Sequence, residues 1–343
     1  MQKKITKAGE LLDEHGALVE CGYATKLIKN YDRKKIKAKK SRIKEWDYYL
    51  IYNDNYAVAL TIDDNSYMGL NSISLIDFKN KTETTKSFMS FMTKGKTKLP
   101  ATSKTGNVVV QKKNYSISFI NDGRERVVKA MIKDFQKGKD FVCEFVLTKE
   151  PKDSMVILTP FAEKKTHFYY NQKIVGMVAS GWVELGEEKI CFDKSTRGIL
   201  DWGRGVWTYK NTWYWGAGTG VVDGHEVGFN IGYGFGDTSK ATENMVFYDG
   251  KAHKLENVTF NIPQDKKGRD DFMSPWTFTS SDKRFEMKFV PVINRHSNAN
   301  IVVISSNQNQ VFGKFTGKIK LDDGTIIKLK NFMGFAEKVV NKW

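Results

Sequence analysis

One short segment, STRGILDWGRGVWTYKNTWYWGAGTG, gathers the side chains with which this chain could do chemistry. It contains one acidic residue, Asp201, two arginines, and four of the chain's eight tryptophans. These tryptophans are Trp202, Trp207, Trp213 and Trp215. A carboxyl group among indole rings loses hydration, so its pKa rises and it can donate a proton near neutral pH. The alternative is that an arginine pairs with Asp201 and holds it as a structural carboxylate.

The alternation of side chains along a strand sorts this segment into two faces. In GILDWGRGVW, Asp201 and Gly203 lie on one face, and Trp202 and Arg204 lie on the other. In TWYWG the two tryptophans share a face. Indole rings on one face form a packed core, a sugar platform, a nucleic-acid stacking surface or the wall of an apolar pocket.

Two further stretches hold candidates for the same pocket. In ATENMVFYDGKAH, Glu243 and Asn244 border a glycine-rich strand, and Glu243 would form an acid–base pair with His225 if the two met. In IKEWDYYLI, Trp46 and Tyr48 share one strand face, which we expect to line the pocket. The alternatives are hairpin packing for the first stretch and an outward-facing strand surface for the second.

The basic charge of the chain restricts its partners. Fifty-five Lys and Arg residues against 39 Asp and Glu give a net charge of +16. The densest basic run, KNYDRKKIKAKKSRIK, would suit an anionic membrane surface, and a solvated lysine-rich segment is the alternative. Most of the excess is lysine spread along the chain without a helix-turn-helix, zinc-finger or RNP signature, so we expect no nucleic-acid partner.

The sequence lacks the motifs that are typical of several functional classes. The three cysteines and five histidines form no CxxC, HxH or HExxH pattern, so neither a disulfide framework nor a metal site is predicted. No Walker motif, dinucleotide fingerprint or GxSxG elbow occurs, and we expect no cofactor. No run approaches the roughly 20 apolar residues of a membrane-spanning helix. The N-terminus also lacks the apolar stretch of a signal peptide, which predicts a cytoplasmic protein.

Short alternating runs predict a mainly β fold. WDYYLIYND, YAVALTID, NYSISFIND and FVCEFVL alternate apolar and polar residues, and Asn, Asp or Gly residues bound them. Roughly eight such runs occur in each half, which predicts two antiparallel barrels, at residues 1–165 and 166–343. We expect few helices, short ones at GELLDEHGALVECG and at the C-terminal GFAEKVVNKW.

Five segments together resemble a bacterial family known only as a domain of unknown function. They are IKEWDYYLIYNDNYAVALTIDDNSYMGLNSISLIDF, FYYNQKI, GILDWGRGVWTYKNTWYWGAGTG, ENMVFYDGKAHKLENVTF and GFAEKVVNKW. The family is distantly similar to two-barrel, lipocalin-like proteins that include carotenoid 1,2-hydratases, tocopherol cyclases and Diels–Alderase-type cyclases. The resemblance implies two tandem calycin-type barrels with an apolar pocket between or within them.

The enzymes of that wider group carry an aromatic–acid–x–x–Trp–Gly pattern before a tryptophan-rich strand. Here Trp202 and Gly203 match the Trp–Gly element, while Ile199 stands at the acid's position and Asp201 directly precedes the tryptophan. Positions 199 and 201 lie on the same strand face. The resemblance therefore implies that Asp201 is the catalytic acid.

These observations predict a protein that binds an isoprenoid or fatty-acyl-like molecule in an apolar pocket. If it is an enzyme, we expect hydration or cyclisation of a C=C bond, with Asp201 as the proton donor. The predicted catalytic residues are Asp201, His225 and Glu243. The predicted ligand-binding residues are Trp46, Tyr48, Trp202, Arg204, Trp207, Trp213, Trp215 and Asn244. The alternatives are a non-catalytic binding or scaffold protein whose basic face contacts anionic membranes, and a carbohydrate-binding module.

Overall fold

Antiparallel strands dominate the structure, a computed structural model that describes residues 2–301 and 304–342. In chain order the strands are β1 (Gly9–Glu10), β2 (Gly22–Ala24), β3 (Lys29–Asn30), β4 (Ile43–Tyr52), β5 (Tyr56–Asp64), β6 (Met68–Asp77), β7 (Thr82–Phe91), β8 (Val108–Gln111), β9 (Tyr115–Asn121), β10 (Arg126–Gln136), β11 (Lys139–Thr148), β12 (Met155–Pro160), β13 (Phe168–Leu185), β14 (Glu188–Phe192), β15 (Arg197–Val206), β16 (Lys210–Val222), β17 (His225–Tyr233), β18 (Met245–Tyr248), β19 (Lys251–Lys254), β20 (Val258–Asn261), β21 (Trp276–Ser280), β22 (Phe285–Ile301), β23 (Ile304–Lys320) and β24 (Ile326–Lys342). The predicted mainly β fold is confirmed.

Helical structure is confined, within the described residues, to two 3₁₀ turns at Arg33–Lys35 and Lys40–Arg42. The prediction of a short helix near each end of the chain is therefore wrong. The C-terminal segment instead forms β24, which pairs with β16 on one side and β23 on the other. Two ladders of hydrogen bonds and the burial of alternate side chains outweigh the helical propensity of its Ala, Glu and Lys residues. Among the described residues, no helix has the length and apolar character to cross a bilayer.

Two large sheets account for nearly all of the strands. The thirteen-stranded first sheet follows the order β7-β6-β5-β4-β15-β13-β11-β10-β9-β8, with β12, β14 and β2 attached beside β13. The nine-stranded second sheet follows the order β19-β18-β17-β16-β24-β23-β22-β21-β20. All pairs within these sheets are antiparallel, and most connect neighbours in the sequence, as in a chain of hairpins.

The change from the first sheet to the second falls between Val206 and Lys210, and the predicted start of the second barrel at residue 166 lies just before the long strand β13. It is hydrogen-bonded to β11, β12, β14 and β15, so residues 168–206 belong to the first sheet. The tryptophan-rich segment therefore spans both sheets.

Apolar side chains form three layers. One core lies within the first sheet, one lies within the second, and the third contains residues of both sheets and so lies between them. Strand β15 shows the alternation that separates the layers, because Trp202 packs in the first core while Ile199 packs in the middle layer. The two faces expected for this strand are confirmed.

Within the first core, Arg204 and Asp47 form a buried ion pair, with 2.9 Å between Nη2 and Oδ1. Arg204 also donates to the carbonyl oxygen of Trp46 at 2.7 Å, and its guanidinium lies 4.3 Å from the centre of the Trp202 ring. If Arg204 is replaced by a neutral residue, the Asp47 carboxylate remains buried, and no cation offsets the free-energy cost of removing it from water.

We therefore expect Arg204→Met to lower the free energy of unfolding by about 3–5 kcal/mol, as is typical when one partner of a buried pair is removed. Urea denaturation of both proteins measures the difference. Arg269→Met is the matched control, since Arg269 lies on the surface with Asp265, and it should leave stability nearly unchanged. Similar stability of Arg204→Met and wild type would show that the pair does not support the fold.

Candidate functional site

A cavity of about 200 Å³ lies in the middle layer, between the two sheets. Strands β4, β5, β6, β13 and β15 of the first sheet and β16, β22, β23 and β24 of the second contribute to its lining. Its aromatic lining residues are Trp46, Tyr48, Tyr169, Trp207, Trp213, Trp215 and Phe235. The other lining residues are Thr61, Asp63, Asn65, Leu70, Ser72, Lys173, Asp201, Glu243, Arg295, Gln308, Gln310 and Glu337.

The aromatic wall is built around Phe235. The rings of Tyr169, Trp207 and Trp213 meet it edge to face, with centroids 4.7, 5.2 and 5.4 Å away. Such edge-to-face pairs stabilise a fixed ring arrangement beyond simple area burial. The wall is therefore a preformed apolar surface.

Trp46 extends this wall along the first sheet. Its ring lies against Gly203 on the neighbouring strand, where a Cβ atom would overlap the indole. It also meets Trp207 edge to face at 5.2 Å. The Trp–Gly element of the sequence thus has a packing function, since the glycine makes room for a cavity-lining tryptophan.

Asp201 faces the cavity, but its contacts are those of a carboxylate anion. It lies directly opposite Lys173 on β13, and Lys173 Nζ is 2.7 Å from Oδ2. Asn171 Nδ2 donates to Oδ1 at 2.6 Å. Because both oxygens accept hydrogen bonds from donors, the geometry disfavours Asp201 as the proton donor expected from the sequence. Its partner is a lysine, not one of the arginines considered in the sequence.

The same lysine occupies the face of one tryptophan. Lys173 Nζ lies 3.8 Å from the centre of the Trp215 ring, a cation–π contact. Trp215 therefore stabilises the ion pair from the second sheet, and its contacted face is not open to a ligand. Its indole N–H donates to Asn230 Oδ1 at 2.8 Å, which fixes the ring.

Glu337 is the acid that the sequence did not reveal. It lies on β24 in the cavity wall, where burial raises its pKa to about 7. Trp213 Nε1 donates to its Oε1 at 3.1 Å, and Gln310 Nε2 donates to its Oε2 at 3.0 Å. These neutral donors orient the carboxyl group. Together with the charges of Lys173 and Arg295 they lower its pKa, but by less than burial raises it. As a central strand, GFAEKVV places Phe335 and Glu337 on one face, whereas its sequence predicts a helix.

Two other carboxyl groups of the cavity also have a pKa that is raised by burial. Burial raises the pKa of Glu243, although Lys173 partly opposes the shift. Burial also raises the pKa of Asp63 to about 7, despite a hydrogen bond donated by the backbone N–H of Leu70. The cavity thus combines an ion-paired carboxylate with carboxyl groups that are protonated more readily than usual.

His225 and Glu243 do not meet. His225 is exposed at the start of β17, directly after the tight turn at Asp223 and Gly224. Its Nδ1 lies 2.8 Å from Oδ2 of Asp249. The Asp–Gly turn expected from the sequence forms, and it places His225 at the solvent-exposed end of the hairpin, outside the cavity lining.

Three predicted ligand-binding residues also lie outside the cavity lining. Trp202 and Arg204 point into the first core, as their strand face requires. Asn244 is buried, where it accepts a hydrogen bond from the backbone N–H of Gly232 at 2.7 Å and donates to the carbonyl of Glu256 at 2.9 Å. The remaining candidates Trp46, Tyr48, Trp207, Trp213 and Trp215, together with Asp201 and Glu243, come together around the cavity.

Two curled antiparallel sheets with an aromatic cavity between them define a two-barrel, lipocalin-like protein. Kievitone hydratase from Nectria haematococca has the same fold, with a TM-score of 0.50, 10% identity and 88% of each chain covered. So has a protein assigned as AttH from Nitrosomonas europaea, with a TM-score of 0.52, 12% identity, and 87% of this chain and 92% of that chain covered. At these identities the similarity establishes the fold alone.

Residues 2–343 match the family described as "Domain of unknown function (DUF2804)", and the chain belongs to this family. No curated protein matches the chain in sequence. The resemblance to a domain of unknown function with a two-barrel, lipocalin-like fold is confirmed.

The raised pKa of Glu337 makes stability depend on pH. Its ordinary value is 4.5 and its folded value is about 7, so the folded protein binds the proton more tightly than the unfolded chain. The resulting stabilisation is present below pH 4.5 and is lost as pH rises through 7, a change of about 3 kcal/mol. Glu337→Gln is uncharged throughout, so we expect its stability relative to wild type to improve by that amount across this range.

Urea denaturation of wild type and Glu337→Gln, on both sides of this pH window, measures the effect. Glu187→Gln is the control, because Glu187 is exposed in the turn between β13 and β14 and its substitution should leave the pH dependence of wild type intact. Parallel stability curves for wild type and Glu337→Gln would contradict the assignment.

Proposed function

We propose that this protein binds an apolar, unsaturated small molecule between its two sheets and catalyses proton-initiated hydration or cyclisation of a C=C bond. The observation that carries the proposal is Glu337, a buried carboxyl group with a pKa of about 7 in an aromatic cavity. An acid of this kind is partly protonated at neutral pH, which suits it to general acid catalysis. An isoprenoid or fatty-acyl-like skeleton suits the aromatic part of the lining.

Protonation is the first step of the proposed reaction. Glu337 transfers its proton to one alkene carbon, and the adjacent carbon becomes cationic. The ring faces of Trp46, Trp207 and Trp213 stabilise this charge by cation–π interaction. Trp213 has a second function, since its indole N–H holds the Glu337 carboxyl group and stabilises the carboxylate left after proton transfer.

The second step depends on which nucleophile meets the cation. In hydration, a water oxygen bonds to the cationic carbon, and its released proton passes to a carboxylate such as Asp201. In cyclisation, a second C=C bond of the ligand attacks the cation, and a proton is then lost to the same base. Asp201 suits the role of base because its carboxyl group lines the cavity, where Lys173 and Asn171 orient it. Exchange with solvent returns both groups to their starting states.

The shared fold supports this reaction class over a purely structural function. Kievitone hydratase, whose name describes the addition of water, has the same two-sheet architecture. Two proteins with the same fold need not share a substrate, so the proposal rests on the cavity and its carboxyl groups.

Native mass spectrometry of freshly purified protein tests the binding part of the proposal. We expect an apolar molecule to remain bound. Incubation with that molecule, with kievitone, and with unsaturated isoprenoid and fatty-acyl compounds should then give a product heavier by one water or an isomer of equal mass. Failure to retain or bind any apolar compound would contradict the proposal.

Glu337→Gln tests the catalytic part. We expect this variant to bind the compound with similar affinity and to lose at least about a hundredfold in turnover, which is typical for removal of a general acid. Glu187→Gln, the exposed control, should retain full turnover. Undiminished turnover in Glu337→Gln would exclude the assigned acid, and binding without turnover in wild type would indicate a carrier.

A further inference from the structure

Arg295 is a half-buried guanidinium of the cavity lining. It projects from β22 of the second sheet, and its Nη1 donates to Ser74 Oγ of the first sheet at 2.9 Å. Within residues 2–301 and 304–342, no carboxylate lies in ion-pair distance of Arg295. One neutral hydrogen bond leaves most of the five guanidinium N–H donors free for another acceptor.

Among the described residues, the other charges of the cavity form no ion pair with Arg295, although its charge lowers the pKa of Glu337 and so partly opposes the effect of burial. The Lys173 ammonium is compensated by Asp201, 2.7 Å away. Burial shifts Glu337 and Glu243 towards their uncharged forms. A guanidinium partly removed from water favours an oxyanion as its partner, because charge-assisted and bidentate contacts offset the lost hydration.

The position of Arg295 relates it to the proposed acid. It lies directly opposite Gln310 in the pairing of β22 with β23, and Gln310 donates to Glu337. A ligand group held by Arg295 would therefore lie on the polar side of the cavity, next to the proton donor. The remainder of the ligand would extend along the aromatic wall.

We propose that Arg295 is a specificity-determining residue that binds an oxyanion, a carboxylate or phenolate, at one end of an otherwise apolar ligand. This inference rests on the proposed function, because it assigns the substrate class of the same cavity. The natural ligand is then a largely apolar molecule with one carboxylate or phenol group, and not a plain hydrocarbon. Arg295 then positions the C=C bond with respect to Glu337.

Two probes that share one ring system isolate this contact. 2-Naphthoate carries the carboxylate, whereas 2-naphthamide is a neutral molecule of nearly the same shape. Isothermal titration calorimetry at about pH 6, below the pKa of about 7 of Glu337, compares their affinities. We expect wild type to bind 2-naphthoate at least roughly tenfold more tightly, as a charge-assisted hydrogen bond allows.

Arg295→Met should abolish this preference and leave the affinity for 2-naphthamide within roughly twofold of wild type, because the apolar contacts remain. Arg295→Gln retains a donor for Ser74 and should lose the preference equally. Arg269→Met is the control, since it removes an exposed guanidinium outside the cavity lining and should keep the preference.

The outcomes separate the two proposals. Equal affinities in wild type, or a preference that survives in Arg295→Met or Arg295→Gln, would overturn the role of Arg295 and leave the apolar cavity standing. Absence of binding of both probes to wild type would overturn the proposed function as well.

Discussion

The ion pair between Lys173 and Asp201 determines how the two sheets can meet. The pair lies on adjacent strands of the first sheet and faces the second, so its charges are removed from water when the sheets pack. Two buried charges are tolerable only when their hydrogen bonds are satisfied, and Asn171 and the Trp215 ring complete the set. The aromatic cavity lies beside this pair, between the two sheets, and both Lys173 and Asp201 contribute to its lining.

A single strand serves both the fold and the site. On β15, Trp202 and Arg204 lie in the core of the first sheet, while Asp201 lines the cavity and Gly203 makes room for the cavity-lining Trp46. Glu337 reaches the same cavity from β24, and among the described residues its hydrogen-bond partners are an indole and an amide. Burial then governs its protonation.

Local sequence patterns were sufficient for the strands and for the faces of the tryptophan-rich segment. They were insufficient where the role of a side chain depends on a residue of a neighbouring strand that is distant in the sequence. The carboxylate of Asp201 is ion-paired with Lys173, which lies in the segment FYYNQKIV and has no local sequence feature that identifies it as the partner. Glu337 was missed because its segment has helical propensity, which pairing on both edges of β24 overrides. His225 and Glu243 lie at either end of the segment that contains β17, and the sequence does not show that the hairpin turn before β17 places His225 in solvent.

The titration of one carboxyl group tests the central claim most directly. In protein labelled with ¹³C at glutamate side chains, the carboxyl resonance absent from Glu337→Gln identifies Glu337, and its chemical shift against pH gives its pKa. A midpoint of about 7 is expected for a carboxyl group buried between the sheets. A midpoint near the ordinary 4.5 would mean that hydration or the nearby donors and cations offset the burial of this group, and it would contradict the assignment of Glu337 as the acid.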